Sequence, residues 1–120
     1  MPARNDSLID RLSKSSELTI TVTGRKSGRS ISIPIWFALE GKSLYLLPVQ
    51  GSETQWYKNV LVNPSIRIEA RGAEAELHAV PVTDAKEVAS VVEKFRHKYG
   101  AGDVKKYYSK FDVAVLLRLG

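Results

Sequence analysis

From Leu18 onward the chain alternates, and that alternation constrains its fold more than any other feature. Leu18, Ile20 and Val22 are separated by Thr19, Thr21 and Thr23; after one turn, Ile31, Ile33, Ile35, Phe37 and Leu39 are separated by Ser30, Ser32, Pro34, Trp36 and Ala38. Side chains along a strand point to opposite faces in turn, so a period of two makes each segment a strand with one apolar face. The many Thr, Ile and Val residues favour the same conformation. The pattern returns at Ile66, Ile68 and Ala70, at Ala75, Leu77 and Ala79, and at Val113, Val115, Leu117 and Leu119. Residues 43–49, with Leu44, Tyr45, Leu46 and Leu47 in a row, are expected to be buried on both faces. Links of turn type and the lack of a strand–helix–strand rhythm favour antiparallel pairing. The expected class is mainly β (α+β): a six-stranded antiparallel barrel with short flanking helices, which hides its sheet edges. Pro34 has no N–H to give a ladder and belongs at an edge or a bulge.

Helical signals fill the gaps. Leu8, Ile9 and Leu12 suit a short helix or arm within residues 1–16. Ser52 is expected to cap a short helix that Asn63-Pro64 stops. Thr83 or Asp84 caps a longer one, whose stripe of Val88, Val91, Val92, Phe95 and Tyr99 recurs at helical spacing. Lys94, Arg96, His97 and Lys98 sit near the negative end of that helix, before Gly100. Residues 103–110 read as a polar segment with a helical turn. Nothing marks an internal boundary, so residues 1–120 are expected to form one domain.

Composition removes whole classes of chemistry. The 120 residues contain no cysteine, which excludes disulfides, thiolate metal sites and a cysteine nucleophile. Imidazole is available only at His78 and His97. No apolar run approaches the ~20 residues of a membrane helix, and residues 1–6 lack the apolar core of an export signal. A soluble, cytoplasmic protein is expected. Eighteen Lys and Arg against thirteen Asp and Glu leave a formal charge of +5, which favours an anionic partner or is merely a basic surface. Nucleic acid is not the expected partner, because the aromatics do not interleave with the basic residues on one strand face.

The densest chemistry lies in Thr23-Gly24-Arg25-Lys26-Ser27-Gly28-Arg29, where three cations, two hydroxyls and two glycines fall within one strand-to-strand turn. Glycine lets backbone N–H groups approach an anion; Arg offers a planar fork and Lys a point charge. A phosphate grip and a solvated basic hairpin both fit. The spacing is not that of a P-loop, and no helix follows as a dinucleotide fingerprint requires. A second cluster is Gly51-Ser52 followed by Trp56-Tyr57-Lys58-Asn59, with Trp56 and Asn59 sharing a helix face; they either meet a ligand or belong to the core. His78 among glutamates reads as solvated, His97 as a helix-end charge, and Glu74 with Glu76 as a surface pair. Tyr107 and Tyr108 are candidate proton donors or packing groups. No nucleophile–base set and no nucleophile elbow are present, so an enzyme built on this chain would leave the reaction to a cofactor.

The turn at 23–29, followed by Ile33-Pro34-Ile35-Trp36, the hairpin Glu40-Gly41-Lys42, Gly51-Ser52, Trp56-Tyr57-x-Asn59 and Asn63-Pro64, resembles the deazaflavin-dependent nitroreductase family. The likeness runs through residues 17–82 and rests on several motifs in order. It implies a split β-barrel of the pyridoxamine phosphate oxidase type that binds coenzyme F-420. By that resemblance Arg25 and Lys26 clamp the coenzyme's phosphate, Gly24, Ser27 and Gly28 shape the turn, and Arg29 stands nearby. Pro34 and Trp36 belong to the same site, Pro48, Val49, Gln50 and Gly51 lie along the deazaflavin ring, and Trp56 and Asn59 close the phosphate end. The implied activity is hydride transfer from reduced coenzyme to a small, apolar, electron-poor acceptor such as an enone, quinone or nitro compound. A homodimer is the assembly expected. FMN in place of F-420, or a barrel that carries a ligand without catalysis, are the alternatives.

Overall fold

The computed structural model describes residues 3–119; Met1, Pro2 and Gly120 lie outside the described residues. Helix α1 (Ala3–Ser13) leads into β1 (Leu18–Thr23), β2 (Ser30–Ile35), β3 (Phe37–Glu40) and β4 (Ser43–Leu46). A short 3-10 turn (Gly51–Glu53) precedes α2 (Gln55–Val62); β5 (Ser65–Ala70), β6 (Ala73–His78) and β7 (Val80–Val82) follow. Helices α3 (Ala85–Tyr99) and α4 (Ala101–Tyr107) then lead to β8 (Ala114–Arg118).

The strands form two antiparallel four-stranded sheets, ordered β2-β1-β5-β6 and β3-β4-β8-β7. The six expected strands have become eight because two of them bend and change sheet. The expected strand at 30–39 breaks at Trp36, sending β2 to one sheet and β3 to the other; the strand at 75–82 breaks at Ala79 in the same way. Ala79 is buried and donates its N–H to Pro64 O at 2.8 Å, which fixes the second corner. The fold is thus two sheets sharing bent strands, and a continuous six-stranded barrel is not what the pairing gives. Pro34 sits in β2, an edge strand, where its missing N–H costs nothing.

The second sheet separates two apolar clusters. Leu44 and Leu46 of β4, with Val115 and Leu117 of β8, join Ile20, Phe37, Val60, Ile66 and Ile68 on one side. Leu47, Ala114 and half-buried Tyr45 and Leu116 join Val88, Val91, Val92, Phe95 and Val104 on the other. The two-sided burial expected for residues 43–49 follows from this, although the strand itself ends at Leu46. Leu8 and Leu12, one turn apart on α1, are fully buried in the first cluster. Helix α3 covers the second cluster, and Asp84 caps it by accepting from Glu87 N at 3.1 Å. Ser52 does not cap α2: Thr54 holds that position, and Ser52 lies in the 3-10 turn. Among the described residues, no helix is long and apolar enough to cross a membrane.

Candidate functional site

The basic turn between β1 and β2 is a tight, internally bonded loop. Gly24 N donates to Arg29 O at 2.8 Å, Gly28 N donates to Gly24 O at 2.9 Å, and Ser27 Oγ accepts from Arg29 N at 3.1 Å. Gly24 is buried, and a Cβ there would sit 2.7 Å from Ser27 Oγ and 3.3 Å from the Ile31 side chain, so a larger residue would displace the Ser27 hydroxyl that accepts from Arg29 N. Gly28 has a φ of 72°, which an L side chain rarely adopts.

Asn59 holds this turn from α2. Its buried Oδ1 accepts from Arg25 N at 3.0 Å and from Arg25 Nη1 at 2.8 Å. Gln55, one turn earlier on α2, accepts from Arg25 Nη2 through Oε1 at 2.8 Å and from Arg25 Nη1 through its carbonyl at 3.4 Å. Arg25 therefore fastens the loop, with its charge met only by neutral oxygens. Lys26 and Arg29 are exposed. Among the described residues, none of the ion pairs involves Arg25, Lys26 or Arg29. Three cations that no carboxylate compensates make a positive loop that suits a phosphate, although the Gly24, Arg25, Gly28 and Arg29 N–H groups are already engaged within the protein.

Trp56, next to Asn59 and Gln55 around the same helix, looks onto a cavity of about 360 Å³. Trp56 of α2, Pro34 and Trp36 of the β2–β3 corner, Val49 of the loop after β4, and Tyr107 and Tyr108 at the end of α4 line it. Trp36 stacks on Tyr99 with ring centres 4.1 Å apart and planes 9° from parallel, and Tyr107 meets Trp36 at 79° with centres 5.6 Å apart. Trp56 and Tyr108 are buried, whereas Tyr107 is half exposed at the mouth. Burial raises the Tyr108 hydroxyl well above the ordinary phenol value, so it holds its proton tightly.

The loop after β4 is stitched in place by groups distant in sequence. Asp112 accepts from Ser52 N at 2.9 Å and from Ser52 Oγ at 2.6 Å. The hydrogen bond from the Ser52 hydroxyl, above all, holds the Asp112 carboxyl below its usual range. Ser109 N donates to Val49 O at 2.9 Å, and Gln50 N donates to Thr54 Oγ1 at 2.8 Å. Gly51 has a φ of 56°, and a Cβ there would collide with the Asp112 carboxylate and the Lys110 side chain. This segment aims Val49, 43% exposed, at the cavity; Pro48, Gln50 and Gly51 are not part of its lining.

The expected site residues thus fall into two neighbouring groups. Pro34, Trp36, Val49, Trp56, Tyr107 and Tyr108 meet around one cavity, while Gly24, Arg25, Lys26, Ser27, Gly28 and Arg29 form the cationic loop that Asn59 ties to the same helix. His78 and His97 are exposed and belong to neither, and Glu74 is exposed beside Arg67 at 3.7 Å. Sequence reasoning missed Glu17 in the cavity wall, Gln55 behind Arg25 and Asp112 behind Ser52. Gln55 lies one helical turn before Asn59 on the same face, a spacing that offered a signal; Asp112 lies 60 residues from its partner and offered none.

The model of a family described as an uncharacterized protein conserved in bacteria (DUF2255) matches residues 8–119. The chain belongs to that family. Among solved structures, an F-420-H2-dependent reductase is 17% identical at a TM-score of 0.68, over 86% of this chain and 94% of its own. A conserved hypothetical protein from Mycobacterium tuberculosis is 16% identical at 0.72, over 92% and 77%. The heme storage protein HutZ from Vibrio cholerae is 15% identical at 0.70, over 96% and 89%. No curated protein matches the sequence. The shared feature is the fold, a mixed α+β arrangement of split-barrel type. It is the fold that the motif resemblance to F-420-dependent proteins anticipates.

Proposed function

We propose that this chain binds a phosphorylated deazaflavin of the F-420 type and serves the reduction of a small, electron-poor acceptor such as an enone, quinone or nitro compound. The observation that carries this reading is the pairing of an uncompensated cationic loop with an aromatic cavity, both of which meet one short helix, α2. A ligand with an anionic tail and a flat apolar ring system needs those two surfaces side by side. The donor set fits: Lys26 and Arg29 are free to hold phosphate oxygens, and the backbone of the Gly24–Gly28 turn shapes the grip. Arg25 supports that grip from behind, since Asn59 and Gln55 occupy its guanidinium.

When bound in reduced form, such a coenzyme supplies a hydride equivalent, and the protein's part is binding, orientation and exclusion of water. Pro34, Trp36 and Val49 offer the apolar walls against which a flat ring is positioned. The Ser52–Asp112 bonds hold the Val49 loop in register. Tyr107 and Tyr108 are placed to offer a hydrogen bond to an acceptor; the buried Tyr108 is a firm donor that keeps its proton.

The test is a fluorescence titration of the pure protein with F-420, with FMN and hemin as parallel arms, followed by turnover of a quinone with reduced F-420. Saturable F-420 binding that weakens with added salt, together with turnover, is the expected result. FMN binding alone would reassign the cavity to a flavin, and binding without turnover would make the chain a carrier.

A further inference from the structure

The cavity is electrostatically one-sided. Its only carboxylate is Glu17, which immediately precedes β1, and none of its lining residues is a cation. The walls that accompany Glu17 are π faces: Trp36, Trp56, Tyr107 and Tyr108. Aromatic faces carry negative potential, and several around one carboxylate attract a positive charge that sheds its water. The near-perpendicular meeting of Trp36 and Tyr107 gives this enclosure a corner.

Glu17 has no partner of its own to satisfy. Among the described residues it enters no ion pair. Of the basic groups on α3 and α4, Lys98 donates its Nζ to Phe37 O at 3.1 Å and lies 3.5 Å from the centre of the Phe37 ring, while Lys106 Nζ stands 5.3 Å from the centre of the Tyr107 ring. Tyr99 spends its hydroxyl on Ser16 O at 2.7 Å, and Glu17 itself is part of the cavity lining. Glu17 is exposed, and the fold does not need it.

We infer that the cavity recognises an organic cation, with the Glu17 carboxylate as counter-ion and the Trp36, Trp56 and Tyr108 rings as its cage. This deepens the proposed function by giving the acceptor a positive charge, and it leaves the phosphate-gripping loop untouched. The two ends of the site then have opposite preferences, anionic at Lys26 and Arg29, cationic at Glu17.

The test uses phenyltrimethylammonium and its uncharged isostere tert-butylbenzene, with binding read from tryptophan fluorescence of the full chain. The wild type is expected to favour the ammonium by about tenfold. E17Q is expected to melt at the same temperature and bind both probes alike. E17K is expected to disfavour the ammonium relative to the neutral probe. Equal affinity of the wild type for the two probes, failure of both to bind, or a preference that survives in E17Q would overturn the inference. A loss of F-420 binding in the wild type would overturn the coenzyme reading instead, since the probe titrations are run without coenzyme.

Discussion

Asn59 shows how one side chain can serve the fold and the site together. Its single oxygen accepts both from the backbone and from the guanidinium of Arg25. Its place beside Trp56 was legible from their spacing along a helix, but its partner, 34 residues earlier, was not, because no local pattern encodes a contact between a helix and a distant turn. Replacing Asn59 by Ala leaves a backbone N–H without its acceptor, at a cost of about 1–3 kcal/mol. A denaturant titration of N59A should read a loss of that size, with F-420 affinity falling in step as the turn loosens. Gly51 makes the same point through the backbone: its φ of 56° was expected of a loop glycine, but the Asp112 carboxylate lying where a Cβ would go was invisible in the sequence. G51A should destabilise the fold by more than about 1 kcal/mol in the same measurement. The D112N variant, which keeps its shape but loses its charge, should cost less.

At the scale of elements, the period-two pattern located every strand region but hid the two corners. Ile33, Ile35, Phe37 and Leu39 pack toward one cluster, and Trp36 and Ala38 toward the other, so the alternation runs unbroken through the bend at Trp36. A strand that changes sheets without changing parity looks continuous, which is why eight strands read as six. Helix α3 was legible from its stripe, yet its attachment to β3 depends on polar atoms that a stripe does not reveal. Tyr99 Oη donates to Ser16 O and accepts from Phe37 N, while Lys98 Nζ donates to Phe37 O. Partial burial lowers Lys98 from 10.5 to about 8. Between those values the unfolded chain keeps a proton that the native chain has released, so stability rises with pH across that window. Tyr57, Tyr99 and Tyr108 act oppositely, because burial raises each above its ordinary value of 10.0, and Tyr99 to about 12. Their unfolded forms ionise first, and stability falls as pH climbs past that value. Melting curves should therefore show stability increasing above about pH 8 and declining beyond about pH 10. K98M should erase the rising limb and keep the decline; a rising limb that persists would remove Lys98 from the account.

At the scale of the whole molecule, two sheets with bent strands place a positive loop and an aromatic cavity next to each other beside α2. The loop and most of the cavity wall were legible, because glycine spacing, clustered cations and aromatics are local signals. The cavity's negative end at Glu17 was not, since a lone glutamate before a strand has no distinctive neighbours and gains meaning only from what the fold brings beside it. The central claim is that the Lys26–Arg29 face of the loop anchors a coenzyme tail, and it is tested by reversing those charges while sparing Arg25 and its bonds to Asn59. Both residues are exposed, so the double variant K26E/R29E should melt like the wild type. In an F-420 titration at low salt it should bind at least about a hundredfold more weakly, on the order of 1.4 kcal/mol or more for each reversed charge. Undiminished F-420 affinity in that correctly folded double variant would contradict the account.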